Sequence, residues 1–330
     1  MNYQSAHYNG KLFQNPVPTQ VMQGSYAKLI GKLFQKHPGR EPVDSPGPFA
    51  VDYTLLHALP PDALRITWMG HSSIVLEIEG KRLLCDPLWC QRASPFGFMG
   101  PKRFFDNPLD FDKLPPIDAL LLSHDHYDHL DKTAVLKLAA KKIPVITMLG
   151  VGKRLQQWGI DPSRIIELDW WQTISLDHLS ITSAPTRHFS GRWINDRNHT
   201  LWGSFAIKGN SYNVYFGADS GYYDGFKTIG EKLGPFDLTM LEIGAYGDQW
   251  PDIHMGPINA VQAHKDVQGN FMFPIHWGTF NLAFHPWKEP VEQLLPVAAE
   301  NNIPLILPTP GETYDVSKGA HLSRWWQAYQ

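Results

Sequence analysis

The sequence has 330 residues, 43% of them hydrophobic, and a formal net charge of −3 at pH 7. This length and apolar content predict a folded chain with one large or two smaller α/β domains. The small negative charge argues against general attraction to nucleic acid, so no nucleic-acid partner is expected. The first residues lack the features of a signal peptide, and no apolar run approaches the roughly 18 residues of a membrane span. We therefore expect a cytoplasmic protein, at most peripheral on the inner membrane.

Residues 1–60 are predicted to form an N-terminal extension that packs on the main domain or on a membrane, and residues 61–330 to form the main domain. Between two Pro/Gly-rich stretches, Val21 to Lys36 has apolar residues at near-helical spacing and a lysine at every fourth position of another face. Such a helix either lies on anionic lipid or packs on the domain with its lysines in solvent. Gly24 and Gly31 weaken the helix prediction.

From Leu64 onward, short apolar runs separated by turn residues predict strands. The first group of strands is predicted at 66–68, 73–78, 82–85, 117–122 and 144–149, with a helix at 133–142 that Asp131 caps. Further strands are predicted at 164–168, 179–184, 200–207, 213–216, 238–243 and 271–275, and further helices at 222–233, 257–268 and 289–301. Strands that come first in runs and then alternate with helices suit two sheets with helices outside them.

The run His124-Asp125-His126-Tyr127-Asp128-His129 places three histidines and two aspartates within six residues. Imidazole nitrogens and carboxylate oxygens are ligands that zinc and similar divalent metals prefer. The run follows the predicted strand 117–122 and precedes a helix, and sites of α/β folds collect at such strand ends. A metal-binding loop is therefore predicted, against the alternative of a polar surface loop that is rich in histidine.

Isolated histidine and aspartate residues at the ends of other apolar strands extend this prediction. His188, Asp219 and His276 each follow such a strand and lie next to small residues or turns. Taken singly, each is equally well a core or turn residue, but the ordered set behind the histidine run predicts a metal site. Asp86, which ends a strand before Pro87, is a candidate for orienting a ligand imidazole, or else a turn residue.

Several longer stretches accompany this ordered set, among them Thr67–His71, Met99–Phe104, Leu114–Ala119, Glu167–Trp171 and Ile275–Phe280. With them the chain resembles the metallo-β-lactamase superfamily of binuclear zinc hydrolases. More closely, it resembles the bacterial and animal enzymes called N-acylphosphatidylethanolamine-hydrolysing phospholipase D. The resemblance spans residues 64 to 285 and is weaker in the first 60 and the last 45 residues.

The resemblance implies an α/β (α+β) fold, the αββα sandwich, in which two β-sheets face each other and helices cover both outer sides. It also implies two Zn²⁺ ions, with Fe or Mn as alternatives. His124, His126 and His188 would hold one ion, Asp128, His129 and His276 the other, and Asp219 would bridge both. The implied catalytic residues are Asp128, Asp219 and His254, and the implied substrate-binding residues are His71, Tyr222 and His254.

The activity implied by the resemblance is hydrolysis of a phosphodiester by a metal-activated hydroxide. From N-acylphosphatidylethanolamine the products would be phosphatidic acid and an N-acylethanolamine, with His254 as proton donor or phosphate binder. The expected partners are a phospholipid or another small phosphodiester, with possible peripheral membrane contact and a possible homodimer.

Three other readings of the sequence remain open. The fold hosts many chemistries, so the substrate could instead be a lactone, a soluble or cyclic phosphodiester or a sugar phosphate. A di-iron oxidoreductase on the same scaffold is a second reading, although we expect such a protein to need a flavin partner domain. A metal-stabilised module without activity is the third. Nucleic-acid cleavage, which the superfamily also includes, is disfavoured by the net charge of −3.

Overall fold

The computed structural model describes residues 3–23, 39–193 and 195–330. Most of the amphipathic segment predicted at Val21 to Lys36 lies outside these ranges, so that prediction stays a prediction. The division of the chain at residue 60 also stays a prediction. Among the described residues, no helix is both long and apolar enough to cross a membrane.

The strands of the described chain are, in order, β1 (Leu64–Trp68), β2 (Ile74–Ile78), β3 (Lys81–Cys85), β4 (Ala119–Leu122), β5 (Val145–Met148), β6 (Ile165–Leu168), β7 (Thr173–Leu176), β8 (Leu179–Ala184), β9 (Ser204–Lys208), β10 (Asn213–Phe216), β11 (Phe236–Glu242), β12 (Gly269–Ile275), β13 (Ile306–Leu307), β14 (Thr313–Asp315) and β15 (His321–Leu322). The helices are α1 (Tyr53–His57), α2 (Lys132–Ala139), α3 (Val151–Gln157), α4 (Gly225–Leu233), α5 (Gly256–Asp266) and α6 (Glu289–Glu300).

These strands form two large mixed sheets, which confirms the predicted sandwich of two sheets with helices outside. The first has the order β14-β1-β2-β3-β4-β5-β6, and the second has the order β12-β11-β10-β9-β8-β7. Strands β3 to β6 run parallel to one another, as do β10 to β12, while β1 to β3 and β7 to β10 pair in antiparallel fashion. In each sheet the carboxyl ends of the parallel strands therefore lie side by side.

Full burial explains why the inner strands are mostly apolar, and the buried charges of β1 and β2, Arg65 and Glu77, pair with each other. Every residue of β1, β2, β4, β5 and β10 is buried. A strand that is covered on both faces has no solvent-facing position, so it becomes a continuous apolar run. The edge strand β7 alternates exposed and half-buried residues, and the sequence pattern did not indicate it.

Hydrogen bonds determine where one predicted helix and one predicted strand begin. Asp131 caps α2 as expected, because its carboxylate accepts the backbone N–H groups of Thr133 and Ala134. The strand predicted at 200–207 begins only at Ser204, since residues 198–203 are tied instead to neighbouring loops, for example through Leu201 N–H and the carbonyl of Leu149.

Glu79 connects a turn of the first sheet to a turn of the second. It lies between β2 and β3, is 8% exposed, and accepts backbone N–H groups of Asn210, Ser211 and Tyr212, which connect β9 to β10. Burial alone would raise the pKa of Glu79, but these backbone donors lower it. A buried, ionised carboxylate therefore accepts three backbone N–H groups where the two sheets meet.

Candidate metal centre

The predicted ligands come from strands of both sheets but meet at one place. The histidine run follows β4, whereas His188, Asp219 and His276 follow β8, β10 and β12 in the other sheet. All seven side chains belong to three overlapping groups whose possible ligand atoms lie within 4.8 Å of one another. The structure thus brings together the complete set that the sequence singled out.

Three imidazole nitrogens form the first group. The Nδ1 atom of His126 lies 2.9 Å from Nε2 of His124 and 3.3 Å from Nε2 of His188. The Nδ1 atom of His188 lies 3.0 Å from the carbonyl oxygen of Ile253. A carbonyl only accepts, so Nδ1 of His188 carries the proton and its Nε2 presents a lone pair to the group.

The same reasoning applies to His124. Ser123 Oγ lies 2.6 Å from a carboxylate oxygen of Asp86 and 2.9 Å from Nδ1 of His124. The hydroxyl donates to the carboxylate and accepts from Nδ1, which leaves Nε2 of His124 with a lone pair. Two lone pairs thus point at one ring nitrogen of His126, an arrangement that a shared cation stabilises.

Asp128, His129 and His276 form the second group, and His71 joins them. The Oδ2 atom of Asp128 lies 3.7 Å from Nε2 of His129 and 3.5 Å from Nε2 of His276. His71 Nε2 lies 3.1 Å from the same oxygen. Burial and the neighbouring His276 lower the pKa of His71 to about 3, so the neutral ring donates to Asp128 and orients it.

Asp219 lies between the two groups. Its Oδ2 atom is 3.9 Å from Nε2 of His124 and 3.7 Å from Nε2 of His188. The same atom is 3.1 Å from Nε2 of both His129 and His276. Its Oδ1 atom is buried without a hydrogen-bond partner in the described chain. A single carboxylate therefore faces both groups of nitrogens, as a bridging ligand must.

The charges of the buried groups fit a cation as well. Burial lowers the pKa of His124 and His188 well below the usual value. Burial alone would also lower the pKa of His129, but the carboxylates of Asp219 and Asp128 raise it well above its usual value. Carboxylates this deeply buried require compensating positive charge, and divalent cations supply it. The donor set consists of nitrogen and oxygen atoms, which suits zinc, iron or manganese.

Asp86 orients two of the imidazoles, as the sequence suggested. One carboxylate oxygen accepts from Nδ1 of His129 at 2.8 Å and from Ser123 Oγ, which in turn contacts His124. The other accepts the backbone N–H of Ser123. Partners of this kind fix the tautomer and direction of ligand imidazoles.

Glu242 is a buried carboxylate beside the site that the sequence reading missed. Its Oε2 atom accepts from Nδ1 of His254 at 2.6 Å, and its Oε1 atom accepts the backbone N–H of Ser220. It is the last residue of β11 and is 0% exposed. Its position at the end of an apolar strand, which indicated the predicted ligands, would have indicated Glu242 as well. His254 itself is placed beside the site, with its ring centroid 5.1 Å from those of His188 and His276.

Three residues beside the ligand groups have a left-handed backbone conformation. His71, Asp86 and His276 have φ angles of 54°, 38° and 62°. Residues other than glycine rarely adopt this left-handed conformation, and it persists where surrounding structure holds it. Here it turns each side chain sharply out of its strand toward the ligand groups.

Three other side chains hold the loops that carry the predicted ligands, through contacts between residues far apart in the sequence. Arg154 pairs with Asp125 at 2.8 Å. Arg192 donates to the carbonyl oxygens of Asp125 and Leu130 at either end of the histidine loop. Asn15, in the N-terminal segment, makes two hydrogen bonds to the backbone of His188.

A cavity of about 430 Å³ opens above the ligand groups. His126, Asp128, Asp219, His254 and His276 contribute to its floor. Its other walls are mostly apolar and are formed by Val21, Met22, Phe189, Trp193, Ala245, Trp250, Ile253 and Leu282, with Arg197.

Two predicted substrate-binding residues do not line this cavity. The ring of His71 is buried behind Asp128. The Tyr222 hydroxyl donates to Asp266 at 2.6 Å and its ring stacks on Phe226. Tyr222 is a predicted substrate-binding residue, but the chain turns its side chain toward Asp266 of α5. We therefore assign neither side chain a direct contact with substrate.

Residues 81–277 match the family model of the Beta-lactamase superfamily domain. The chain belongs to this superfamily. It is a metal-dependent hydrolase of the metallo-β-lactamase fold, and the matched residues include all seven predicted ligands. The resemblance noted from the sequence motifs is thus confirmed at the level of the superfamily.

The chain is also similar to two relatives and to one solved structure. It is 42% identical to an uncharacterized protein of Mycobacterium tuberculosis in an alignment of 331 positions that covers 98% of this chain and 88% of that protein. It is 36% identical to N-acyl-phosphatidylethanolamine-hydrolyzing phospholipase D 1 of Caenorhabditis elegans in an alignment of 292 positions that covers 82% of each chain. The diiron β-hydroxylase CmlA from Streptomyces venezuelae shares the fold, with a TM-score of 0.59 and 17% identity over 77% of this chain and 54% of that one.

Proposed function

We propose that this protein is a binuclear metal-dependent phosphodiesterase of the phospholipase D type. It would hydrolyse N-acylphosphatidylethanolamine to phosphatidic acid and an N-acylethanolamine. The observation that carries the proposal is the position of Asp219, whose Oδ2 atom lies within 3.9 Å of four imidazole nitrogens from two groups. The relative in Caenorhabditis elegans supports the choice of substrate.

His124, His126 and His188 would hold one metal ion, Asp128, His129 and His276 would hold the other, and Asp219 would contact both. Zinc is the metal we propose first, with iron or manganese as alternatives that the same donors suit. When bound, two such ions activate a water molecule and neutralise charge on phosphate oxygens.

His254 is the residue that we propose for the leaving group. Glu242 accepts the proton of its Nδ1 atom, so Nε2 is the ring nitrogen that remains for a substrate. His254 lines the cavity beside Asp219 and His276. With both ring nitrogens protonated, it would donate a hydrogen bond from Nε2 to a phosphate oxygen, or the Nε2 proton to the departing alkoxide.

The apolar wall of the cavity suits a fatty acyl chain. The backbone N–H of Gln20 donates to the carboxylate of Asp252, and the backbone N–H of Gln23 donates to the carbonyl of Gln249. These two hydrogen bonds hold the segment with Val21 and Met22 beside Trp250. Apolar side chains therefore begin close to His254. A diacyl phosphodiester with an N-acyl chain would bury these chains there while its phosphate meets the ligand groups.

A substrate panel tests this proposal. Zinc-loaded protein is offered N-acylphosphatidylethanolamine, a soluble aryl phosphodiester, a sugar phosphate and an acyl-homoserine lactone, each with a chelated control. We expect metal-dependent turnover with the highest kcat/KM on the lipid. If only a soluble substrate is hydrolysed, the second candidate, a hydrolase of another phosphodiester, sugar phosphate or lactone on this fold, replaces the first.

A further inference from the structure

Residues 91–103 form a narrow finger beside the catalytic cavity. Two backbone hydrogen bonds close its stem, from Ala93 N–H to the carbonyl of Pro101 at 3.0 Å and from Arg103 N–H to the carbonyl of Gln91 at 3.0 Å. The intervening residues 94–100 form the tip, which contains two glycines and no charged residue. A short tip on a hydrogen-bonded stem presents its side chains outward.

The tip exposes large apolar side chains. Phe96, Phe98 and Met99 are 37%, 81% and 55% exposed, and the neighbouring Trp193 is 56% exposed. The Phe96 ring centroid is 5.7 Å from that of Phe98 and 6.5 Å from that of Trp193. Half of the eight exposed large hydrophobic residues of the described chain therefore belong to one patch. Such a concentration marks an interaction surface.

A basic pocket of about 460 Å³ lies at the base of this finger. Its lining includes Arg92 and Ser94 of the finger, Trp193, and the cations Lys132, Arg154 and Arg192. Lys132 lies over the ring of Trp158 at 5.5 Å and pairs with no carboxylate in the described parts of the chain.

The two carboxylates that line this pocket already accept hydrogen bonds from neighbouring groups. Asp131 accepts four backbone N–H groups, from residues 89, 90, 133 and 134. Asp196 accepts two backbone N–H groups and pairs with Arg154 at 2.9 Å. Arg154 and Arg192 are held by the histidine loop and by Asp196. Lys132 and Arg92 are therefore the cations of the lining that no carboxylate of the described chain pairs with, and they give the pocket an excess of positive charge for an anion.

We propose that the finger and this pocket form a docking site for a bilayer that contains anionic phospholipid. The tip residues enter the acyl region, and the cations of the pocket bind a lipid phosphate. The apolar tip extends away from the cations at the base of the finger. A lipid leaflet has the same arrangement, because its acyl chains lie deeper than its phosphates. This site is distinct from the metal centre and does not depend on the proposed reaction.

Continuity with the catalytic cavity favours a membrane as the occupant. Trp193 lines both the basic pocket and the catalytic cavity. A leaflet that receives the tip therefore lies at the mouth of the cavity, where an apolar substrate would enter without crossing water. Tryptophan is favoured at this depth because its ring is apolar and its N–H is polar.

Vesicle flotation with the full chain tests the docking site. Vesicles of phosphatidylcholine alone are compared with vesicles that also contain phosphatidylglycerol, at low and high salt. We expect binding to the anionic vesicles that salt weakens. Phe98→Ser should weaken it about tenfold or more, since a buried phenylalanine contributes about 1.5–3 kcal/mol. Lys132→Gln should weaken it about fivefold, as expected for about 1 kcal/mol per cation near an anionic surface.

Leu322→Ser is the matched control, because Leu322 is 44% exposed in the small sheet of β13 and β15. Its vesicle binding should equal that of the unmodified protein. All three variants should keep the melting temperature and the turnover of a soluble phosphodiester, which separates loss of docking from loss of catalysis.

Two results would overturn the docking site. One is absence of binding to anionic vesicles by the unmodified protein, or binding that Phe98→Ser and Lys132→Gln leave unchanged. The other is self-association in sedimentation that Phe98→Ser abolishes without vesicle binding, which would assign the tip to a second copy of the chain. Neither result bears on turnover in solution, so the proposed function would be judged separately.

Discussion

The Oε2 atom of Glu242 lies 2.6 Å from Nδ1 of His254, and both side chains lie beside the ligand groups. The same carboxylate accepts the backbone N–H of Ser220, the residue after Asp219. One buried acid thus holds both the imidazole nearest the cavity and the turn that presents the central carboxylate.

This pair predicts coupled losses of activity. Glu242→Gln should lower turnover about 10–100-fold, because the partner that orients His254 is weakened. His254→Gln should cause a loss of similar size, and the double variant should lose little more than either single variant. Steady-state kinetics with saturating metal measures all three. Glu231→Gln, on the exposed face of α4, is the control, and fully additive losses would argue that the two residues act separately.

Asp219→Asn should remove metal-dependent turnover and lower the number of metal ions bound per chain. The amide has one acceptor oxygen and no charge, so it would not balance two cations at once. Metal content by mass spectrometry, together with kcat, measures both effects. Asp224→Asn changes an exposed aspartate whose ion pair among the described residues is with Lys227, and it should change neither. Full activity in the Asp219 variant would refute the assignment of the bridging ligand.

Asp86→Asn should weaken metal binding about 10–100-fold while the protein still folds. The change removes the acceptor that fixes Nδ1 of His129 and the hydroxyl of Ser123. Competition with a fluorescent chelator gives the affinity, and a thermal melt of the metal-free protein checks folding. Equal affinity in both proteins would mean that Asp86 only shapes the turn before Pro87.

The side chains that meet at the candidate metal centre could be predicted from the sequence, because few residue types bind such metals and because strand ends are visible as breaks in apolar runs. His188, Asp219 and His276 each met both conditions. Glu242 met them as well, at the end of a predicted strand. The direction of the Tyr222 side chain could not be predicted, because it depends on the hydrogen bond to Asp266 and on stacking against Phe226.

The bracing residues could not be predicted, since nothing local marks them. Asn15 lies 173 positions from His188 along the chain, and only the folded arrangement brings them together. Arg154 and Arg192 look like ordinary surface cations in the sequence. The finger tip gave no signal either, because whether an apolar side chain is buried or exposed depends on what covers it.

Glu79 predicts a dependence of stability on pH. Its pKa is lowered in the folded protein, so its contribution is present above the unfolded value of about 4.3 and is lost as pH falls through the folded value. Glu79→Gln should lower the free energy of unfolding at pH 7 by about 1–3 kcal/mol. The deficit should shrink below about pH 4.

Urea denaturation of the metal-free protein at several pH values measures this effect. Glu300→Gln, on an exposed position of α6, serves as the control and should follow the unmodified protein throughout. A deficit that stays constant from pH 7 to pH 3 would show that ionisation of Glu79 contributes nothing to the contact between the turns.

The most direct test of the account is hydrolysis of N-acylphosphatidylethanolamine in water enriched in ¹⁸O by the zinc-loaded protein. The account predicts equal amounts of N-acylethanolamine without label and phosphatidic acid with one ¹⁸O in its phosphate, both abolished by chelation of the metal. Absence of both products, in a preparation that hydrolyses a soluble phosphodiester or a lactone, would contradict it.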